Sequence, residues 1–404
     1  MPPDALPAQA EIVIAGGGVI GLATALELLK RDRDVLIVER SRPGAGASAV
    51  AAGLLAPTAE ADLAEPRLID FALDSLRRYP AFVAEIERIS GRRCELRDQG
   101  SLWPAFTAGD EAKLDEMAAQ HQRRGIASRR LTAEELRARE PHLAAEARSG
   151  LHVTDDLRLD PRRLLRSLTG AVRERGGKIR SGYTVREVVL KGGAVQALRT
   201  ADDAGRDHTV RCEVAVLAAG AWATASLRSP LTAAVVRPVK GQIVRPVKGQ
   251  IVRLRGAVLI QHTLRTPGIY LVPRDDGELI IGGTIEERGF DQAPTAGAVA
   301  GLLDRAGAVV PAIGDLTISE LSVGLRPALP DYLPAIGPAG ADGFYAAVGH
   351  FRSGILLAPA TAHYLAEAIA GGAVPSALDS LSPDRLGGES APAPLPGTIA
   401  EAAR

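Results

Sequence analysis

Residues 11–39 read EIVIAGGGVIGLATALELLKRDRDVLIVE, and this stretch decides the fold. Ile12, Val13 and Ile14 form a short apolar run suited to a buried parallel strand. Gly16, Gly18 and Gly21 then supply G-x-G-x-x-G, with Val19 and Ile20 between the last two. Gly16 permits a tight turn, Gly18 lets backbone approach a pyrophosphate, and Gly21 lets the helix pack closely on the strand. Leu22, Ala25, Leu26 and Leu29 continue the core-facing side of that helix. Val35 to Val38 form a second strand, and Glu39 ends it. A carboxylate at this point accepts hydrogen bonds from ribose hydroxyls and repels a 2′-phosphate. The expected ligand is therefore an adenine dinucleotide of the FAD or NAD type. A glycine-rich turn alone is weak evidence; here strand, turn, helix, second strand and acid arrive in order.

The chain has 404 residues, enough for two domains, and 46% of them are apolar, so a large core is affordable in area. Its 48 basic and 48 acidic side chains leave no net field to steer it to nucleic acid or an anionic membrane. Cys94 and Cys212 are too few for a disulfide framework or a four-cysteine zinc site, and no metal is expected. No apolar run reaches the ~18 residues of a membrane span. The first ten residues, MPPDALPAQA, lack the basic and apolar regions of a signal peptide. A cytoplasmic enzyme is the expectation.

Beyond Glu39, Arg40 leads into a loop of small residues, SRPGAGASAVAAGLLAPTAEA. Helical patterns follow at about 63–89, 110–122, 132–139 and 161–175, the last with Asp160 as N-cap and Pro161 in first position. Residues 92–105 read as strands, and 183–200 as a strand pair turning at KGG. Glu213 to Ala219 is a buried strand ending at Gly220, and a strand-rich region runs from about 235 to 284. A helix at 298–308, further strands at 316–349 and a helix from Ser353 to Ala370 complete the pattern. The expected architecture is α/β. A nucleotide-binding domain is built from residues 10–90, 151–228 and 325–373. A β-rich substrate domain is built from 91–150 and 229–324. Residues 374–404, with five prolines, are expected to be a loosely packed tail.

VRPVKGQI occurs at 236–243 and again at 244–251. Eight is an even number, so a slip by one copy leaves strand faces unchanged. Each copy holds a proline, which suits only an edge or a bulge. One copy is expected in the sheet and the other outside it.

Several segments together resemble the D-amino-acid-oxidase superfamily of flavoproteins, and within it the glycine oxidases of thiamine biosynthesis. They are AGGGVIGLATALELL, ASAVAAGLLAPTAEA, PVKGQ, GIYLVPR at 268–274, IIGGTIEERGFD at 280–291, GLRPALPDYLPAIG at 324–337 and GHFRSGILLAPATA at 349–362. They span residues 11 to about 370. The resemblance implies a Rossmann-type FAD domain with an inserted antiparallel-sheet substrate domain. It implies that Ala47, Ser48, Ala52, Gly53 and Leu54 form the flavin and pyrophosphate loop. Val185 would meet adenine through its backbone, and His350, Phe351, Arg352, Ser353, Gly354, Ile355 and Leu356 would line the flavin. Residues 349–354 lead from a strand into a helix N-terminus, whose partial positive charge and free N–H groups suit a reduced, negatively charged flavin ring.

By the same resemblance Arg326, in GLRP, binds the substrate carboxylate, Tyr270 adds a hydroxyl to it, and Arg352 lies nearby. A guanidinium is the rigid fork that matches a carboxylate. Some members attach flavin to a Cys just before a Pro-Asp pair. SVGLRPAL, before Pro330-Asp331, has no Cys, so noncovalent FAD is expected. The implied reaction is oxidative deamination of glycine and small D- or N-methyl amino acids by molecular oxygen, in a homo-oligomer. Two rivals stand: a D-amino-acid dehydrogenase passing electrons to a quinone, and a non-enzymatic dinucleotide-binding module.

Overall fold

The computed structural model of the chain describes residues 5–60, 66–224 and 244–387. The opening stretch forms strand Ile12–Ala15, helix Val19–Leu29 and strand Val35–Glu39. The helix has no solvent face: every residue in it is buried. Its neighbours Pro161–Glu174 and Gly354–Gly371 cover the sides that its pattern would leave open. Even Glu27 is buried, held by Lys30 and Arg31 at 2.8 Å each.

Six strands form the central sheet, in the order Ala335–Pro338, Phe344–Val348, Val214–Leu217, Ile12–Ala15, Val35–Glu39 and Lys178–Ser181. All neighbours are parallel except the first pair. Alternation sorts the two faces. Ile12, Ile14, Val35 and Ile37 point to the helical layer, while Val13, Ala15, Leu36 and Val38 pack with Val188, Val195 and Leu198 of a three-stranded sheet.

An eight-stranded sheet makes the second body. Its order is Thr317–Ala328, Arg245–Arg255, Glu278–Gly282, Ile269–Pro273, Thr263–Thr266, Ser101–Ala105, Ser149–Val153 and Ser128–Thr132. One seam departs from the antiparallel expectation: Thr263–Thr266 runs parallel to Ser101–Ala105. That seam joins two separate visits of the chain to the sheet, and no hairpin constrains its direction. Helix Ala296–Val309 covers the sheet with Leu302, Ala306 and Val309.

Several expectations need correction. The strand Ser149–Val153 straddles the expected boundary at 150/151, and Thr317–Ala328 straddles that at 324/325; both are fixed by their ladders in the eight-stranded sheet. Of residues 92–105 only Ser101–Ala105 is a strand, because Glu95 and Gly100 take positive φ, +58° and +78°. The tail is not loose from its start: residues 376–387 form two short 3-10 turns that bury Leu378 and Leu381 in the helical core. Its remainder, from 388, lies outside the described residues.

The second copy of the repeat occupies the sheet, with Arg245–Arg255 pairing Thr317–Ala328 along its length. Pro246 stands opposite Pro327, so two residues that cannot donate share one ladder position. The other neighbour, Glu278–Gly282, pairs only from Ile251 onward, so Pro246, though buried, lies beyond the end of that ladder. The first copy, 236–243, lies outside the described residues.

Candidate active site

The two bodies enclose a cleft of about 820 Å³. Every residue that the sequence singled out for ligand contact lines it, except Gly21. Gly21 instead serves packing: a Cβ there would lie 2.0 Å from the carbonyl oxygen of Gly16. Gly16 has φ +115°, and a Cβ on it would meet the Ala218 carbonyl oxygen at 2.4 Å, so no other residue fits that turn.

On the sheet side, two helix N-termini open into the cleft. Gly18 caps Val19–Leu29 and Ser353 caps Gly354–Gly371, and neither cap supplies a side-chain hydrogen bond. Ser48 Oγ accepts from the Val19 amide at 3.2 Å, which ties the small-residue loop to the first helix. Glu39 accepts from the Gly17 amide at 2.8 Å and the Ser41 amide at 2.8 Å, one on each oxygen, leaving further lone pairs for ribose hydroxyls. The second helix carries Pro359, which removes the amide that would bond the Ile355 carbonyl. Tyr79 Oη donates to that carbonyl instead. One rung on, Ser75 Oγ donates to the Leu356 carbonyl at 2.7 Å and accepts from the Ala360 amide at 3.2 Å. These buried groups fix the turn that faces the cleft. His350 is buried, its ring Nε2 lying 3.1 Å from Thr361 Oγ1, and burial pushes its pKa down to about 3, so it is neutral.

On the substrate side, Arg326 and Tyr270 converge. Arg326 Nη1 donates to the carbonyls of Thr284, at 2.9 Å, and Lys248, at 3.4 Å. A Cβ on Gly283 would lie 3.1 Å from Tyr270 Oη and 3.3 Å from Arg326 Nη2. A Cβ on Gly282 would lie 2.3 Å from Tyr270 Oη. The glycine pair is thus the floor over which the phenol and the guanidinium meet. Arg352 also lines the cleft, beside Phe351, whose amide donates to the Pro327 carbonyl next to Arg326.

This geometry coincides with a family match: residues 11–368 fit the family described as DAO, FAD dependent oxidoreductase. The chain belongs to the FAD dependent oxidoreductase family. It is 34% identical over 377 residues to the bifunctional protein ThiO/ThiG of Synechocystis sp., covering 93% of this chain and 54% of that one. The chain thus spans about half the length of the bifunctional relatives it matches. It is 31% identical to the hydrogen cyanide synthase subunit HcnC of Pseudomonas aeruginosa, over 87% of this chain and 90% of that one. Its fold superposes on the crystal structure of glycine oxidase from Geobacillus kaustophilus with a TM-score of 0.84 and 30% identity, covering 93% and 98% of the two chains.

The cleft fits the family's FAD. Two helix N-termini whose own N-cap residues make no side-chain hydrogen bond face it, the Gly16 turn admits no side chain, and Glu39 stands where a ribose would lie. The family assignment removes the non-enzymatic reading. It leaves other positions that the sequence did not reveal. Arg274, the arginine of GIYLVPR, is buried and donates to the Ala52 carbonyl, so it holds the flavin-side loop against the substrate sheet. Burial pushes its pKa down to about 10. Arg162 grips the same loop, donating to the Ala49 carbonyl at 3.0 Å while pairing with both oxygens of Glu320 at 2.8 and 2.6 Å. Trp222 lines the cleft between the Arg40 guanidinium, 3.8 Å from its ring, and Phe290, stacked at 4.3 Å. No composition or spacing signal marks these as site residues. Among the described residues no group of His, Cys, Asp and Glu is arranged to hold a metal, and no helix is long and apolar enough to cross a membrane.

Proposed function

We propose that the chain oxidises glycine and small D- or N-methyl amino acids to the imine, which water converts to a 2-oxo acid and an amine, with oxygen reduced to hydrogen peroxide. The convergence of Arg326 and Tyr270 over Gly282 and Gly283, inside a cleft whose other wall fits FAD, carries this reading. The flavin supplies the two-electron acceptor. The chain's own residues orient the substrate. Arg326 takes the carboxylate through its fork, and Tyr270 Oη donates to the same group. With the carboxylate fixed, only one Cα–H can face the acceptor, so one enantiomer is favoured, and the likeness to glycine oxidases supports glycine and the D series.

Among the described residues lining the cleft, the Asp, Glu, His and Lys side chains are Glu39, which accepts from the Gly17 and Ser41 amides, and His350, which is buried against Thr361. The substrate amine therefore sheds its proton to water and not to a side-chain base. kcat/KM rises with pH toward the amine pKa. Neither Cys94 nor Cys212 lines the cleft, which supports noncovalent FAD. The likeness to ThiO/ThiG supports a role in forming the thiazole of thiamine. The second reading is a D-amino-acid dehydrogenase that passes the electrons to a quinone, since the same carboxylate-binding geometry serves either acceptor.

A peroxide-coupled assay with glycine, sarcosine, D-alanine, D-proline and L-alanine tests the proposal. Turnover of the first four with stoichiometric oxygen uptake is expected. Dye reduction without oxygen uptake would select the second reading, and comparable turnover of L- and D-alanine would contradict the binding geometry.

A further inference from the structure

Arg326 is held by two backbone carbonyls, those of Thr284 at 2.9 Å and Lys248 at 3.4 Å. The nearer one stands on an irregular stretch of chain. Ile251 pairs with Gly282, and the next bridge joins Lys248 to Glu286, so one extra residue lies on the Glu286 side. This is a β-bulge, which interrupts the ladder and re-aims the residues within it. Ile285 lines the cleft, while its neighbours Thr284 and Glu286 do not. The Thr284 amide reaches the Gln250 carbonyl only at 3.4 Å, so the ladder alone holds this residue weakly.

Side chains supply the rest. The Thr284 hydroxyl accepts from the Gln250 amide at 3.0 Å and donates to Oε1 of Glu286. The same oxygen accepts from Nε2 of Gln250 at 2.8 Å. Lys248 and Gln250 flank Gly249, over which the Arg326 guanidinium lies, so their side chains leave the opposite face of the sheet. There Gln250 also bonds Thr295, accepting from its amide at 2.9 Å and donating to its hydroxyl at 3.1 Å. Lys248 is buried and donates to Asp291 and to the Ala293 carbonyl, each at 2.7 Å. The bulge is therefore clamped from behind, at Glu286 and again at 291–295. None of Glu286, Gln250 and Lys248 lines the cleft.

We propose that Glu286 is a positioning residue for carboxylate binding: it fixes the Thr284 hydroxyl, and with it the carbonyl on which Arg326 rests. This builds on the reading of Arg326 as the carboxylate anchor. A carboxylate suits the task because an ionised one only accepts. One oxygen gathers both the Thr284 hydroxyl and the Gln250 side-chain amide, and such charge-assisted bonds are stronger than neutral ones. Without Glu286 the bulge loses its main tie, and the guanidinium can swing away from the Thr284 carbonyl. The cost then falls on substrate binding, since the fork serves a carboxylate only when it is held in place.

The test uses the FAD-loaded protein. Propionate, which has no amine to oxidise, is titrated, and the flavin absorbance change gives its Kd. Glu286→Ala should raise that Kd by about 10-fold or more with flavin content unchanged. Glu286→Gln should recover part of the loss, since an amide oxygen still accepts from Thr284. In an Arg326→Ala background, adding Glu286→Ala should shift the Kd by less than about twofold, as expected of a residue that acts through another. With glycine as substrate, Glu286→Ala should raise KM and change kcat less. An unchanged propionate Kd in Glu286→Ala, or an equal effect with and without Arg326, overturns the positioning role. A parent protein that binds no propionate tells against the carboxylate reading of the site, and a crystal structure of FAD-loaded Glu286→Ala then decides the positioning by itself. In it Arg326 should have left the Thr284 carbonyl; an unmoved guanidinium overturns the proposal.

Discussion

A Cβ on Gly249 would lie 2.0 Å from Nη1 of Arg326. The guanidinium lies flat across the backbone of the neighbouring strand, and only a residue without a side chain lets it do so. Gly249→Ala should therefore displace Arg326 while leaving the distant dinucleotide wall intact. We expect normal flavin content and a loss of kcat/KM equivalent to roughly 2–5 kcal/mol, the cost of leaving a carboxylate without its charge partner. Flavin absorbance and steady-state kinetics on one preparation check both halves. A Gly249→Ala enzyme with unchanged KM would show that Arg326 is not held in this way.

The Tyr79 hydroxyl replaces the bond that Pro359 cannot make to Ile355. Tyr79→Phe leaves that buried carbonyl without a partner, at a cost of about 1–3 kcal/mol. Denaturant unfolding should record it, together with weaker FAD retention, since the same turn lines the cleft. If Tyr79→Phe is as stable as the parent, the hydroxyl is not supporting the helix.

His350 gives a pH signature. Burial holds it at about 3 in the folded chain, against about 6.5 unfolded. Between those values the unfolded state binds more protons, so stability present above about pH 6.5 is lost as pH falls toward 3. His350→Gln should unfold with a shallower pH dependence across that window than the parent. Parallel curves would mean that His350 titrates normally.

Deleting either copy of VRPVKGQI yields the same sequence, because the copies are identical. The remaining copy should take the place of residues 244–251, restoring Pro246 opposite Pro327 and Gly249 beneath Arg326. Loop shortening changes closure entropy only slightly. Flavin content and activity should be kept, with thermal stability equal or higher. A deletion protein that does not bind FAD would show that both copies are structural.

The dinucleotide wall was legible in the sequence because its chemistry is backbone chemistry. Glycines at fixed spacing, a following helix and Glu39 write it locally in the first 39 residues. Arg326 and Tyr270 were legible only through the resemblance, since nothing within GLRP or GIYLVPR says that they meet over Gly282 and Gly283. Arg274 and Arg162 were not legible as site residues. Each acts across elements distant in sequence, on Ala52 and Ala49, and local pattern holds no information about such pairings. The parallel seam between Thr263–Thr266 and Ser101–Ala105 escaped for the same reason. Strand periodicity fixes which face a side chain takes but not which strand lies alongside.

The central claim is that Arg326 anchors the carboxylate of an amino acid oxidised by bound FAD. Anaerobic mixing with glycine or D-alanine, following flavin absorbance in the parent and in Arg326→Ala, tests it most directly. The account predicts bleaching of the parent flavin, and in Arg326→Ala an apparent substrate Kd raised by about 30-fold or more with flavin content unchanged. Bleaching at the same substrate concentrations in Arg326→Ala, or no bleaching of the parent by any amino acid, would contradict it.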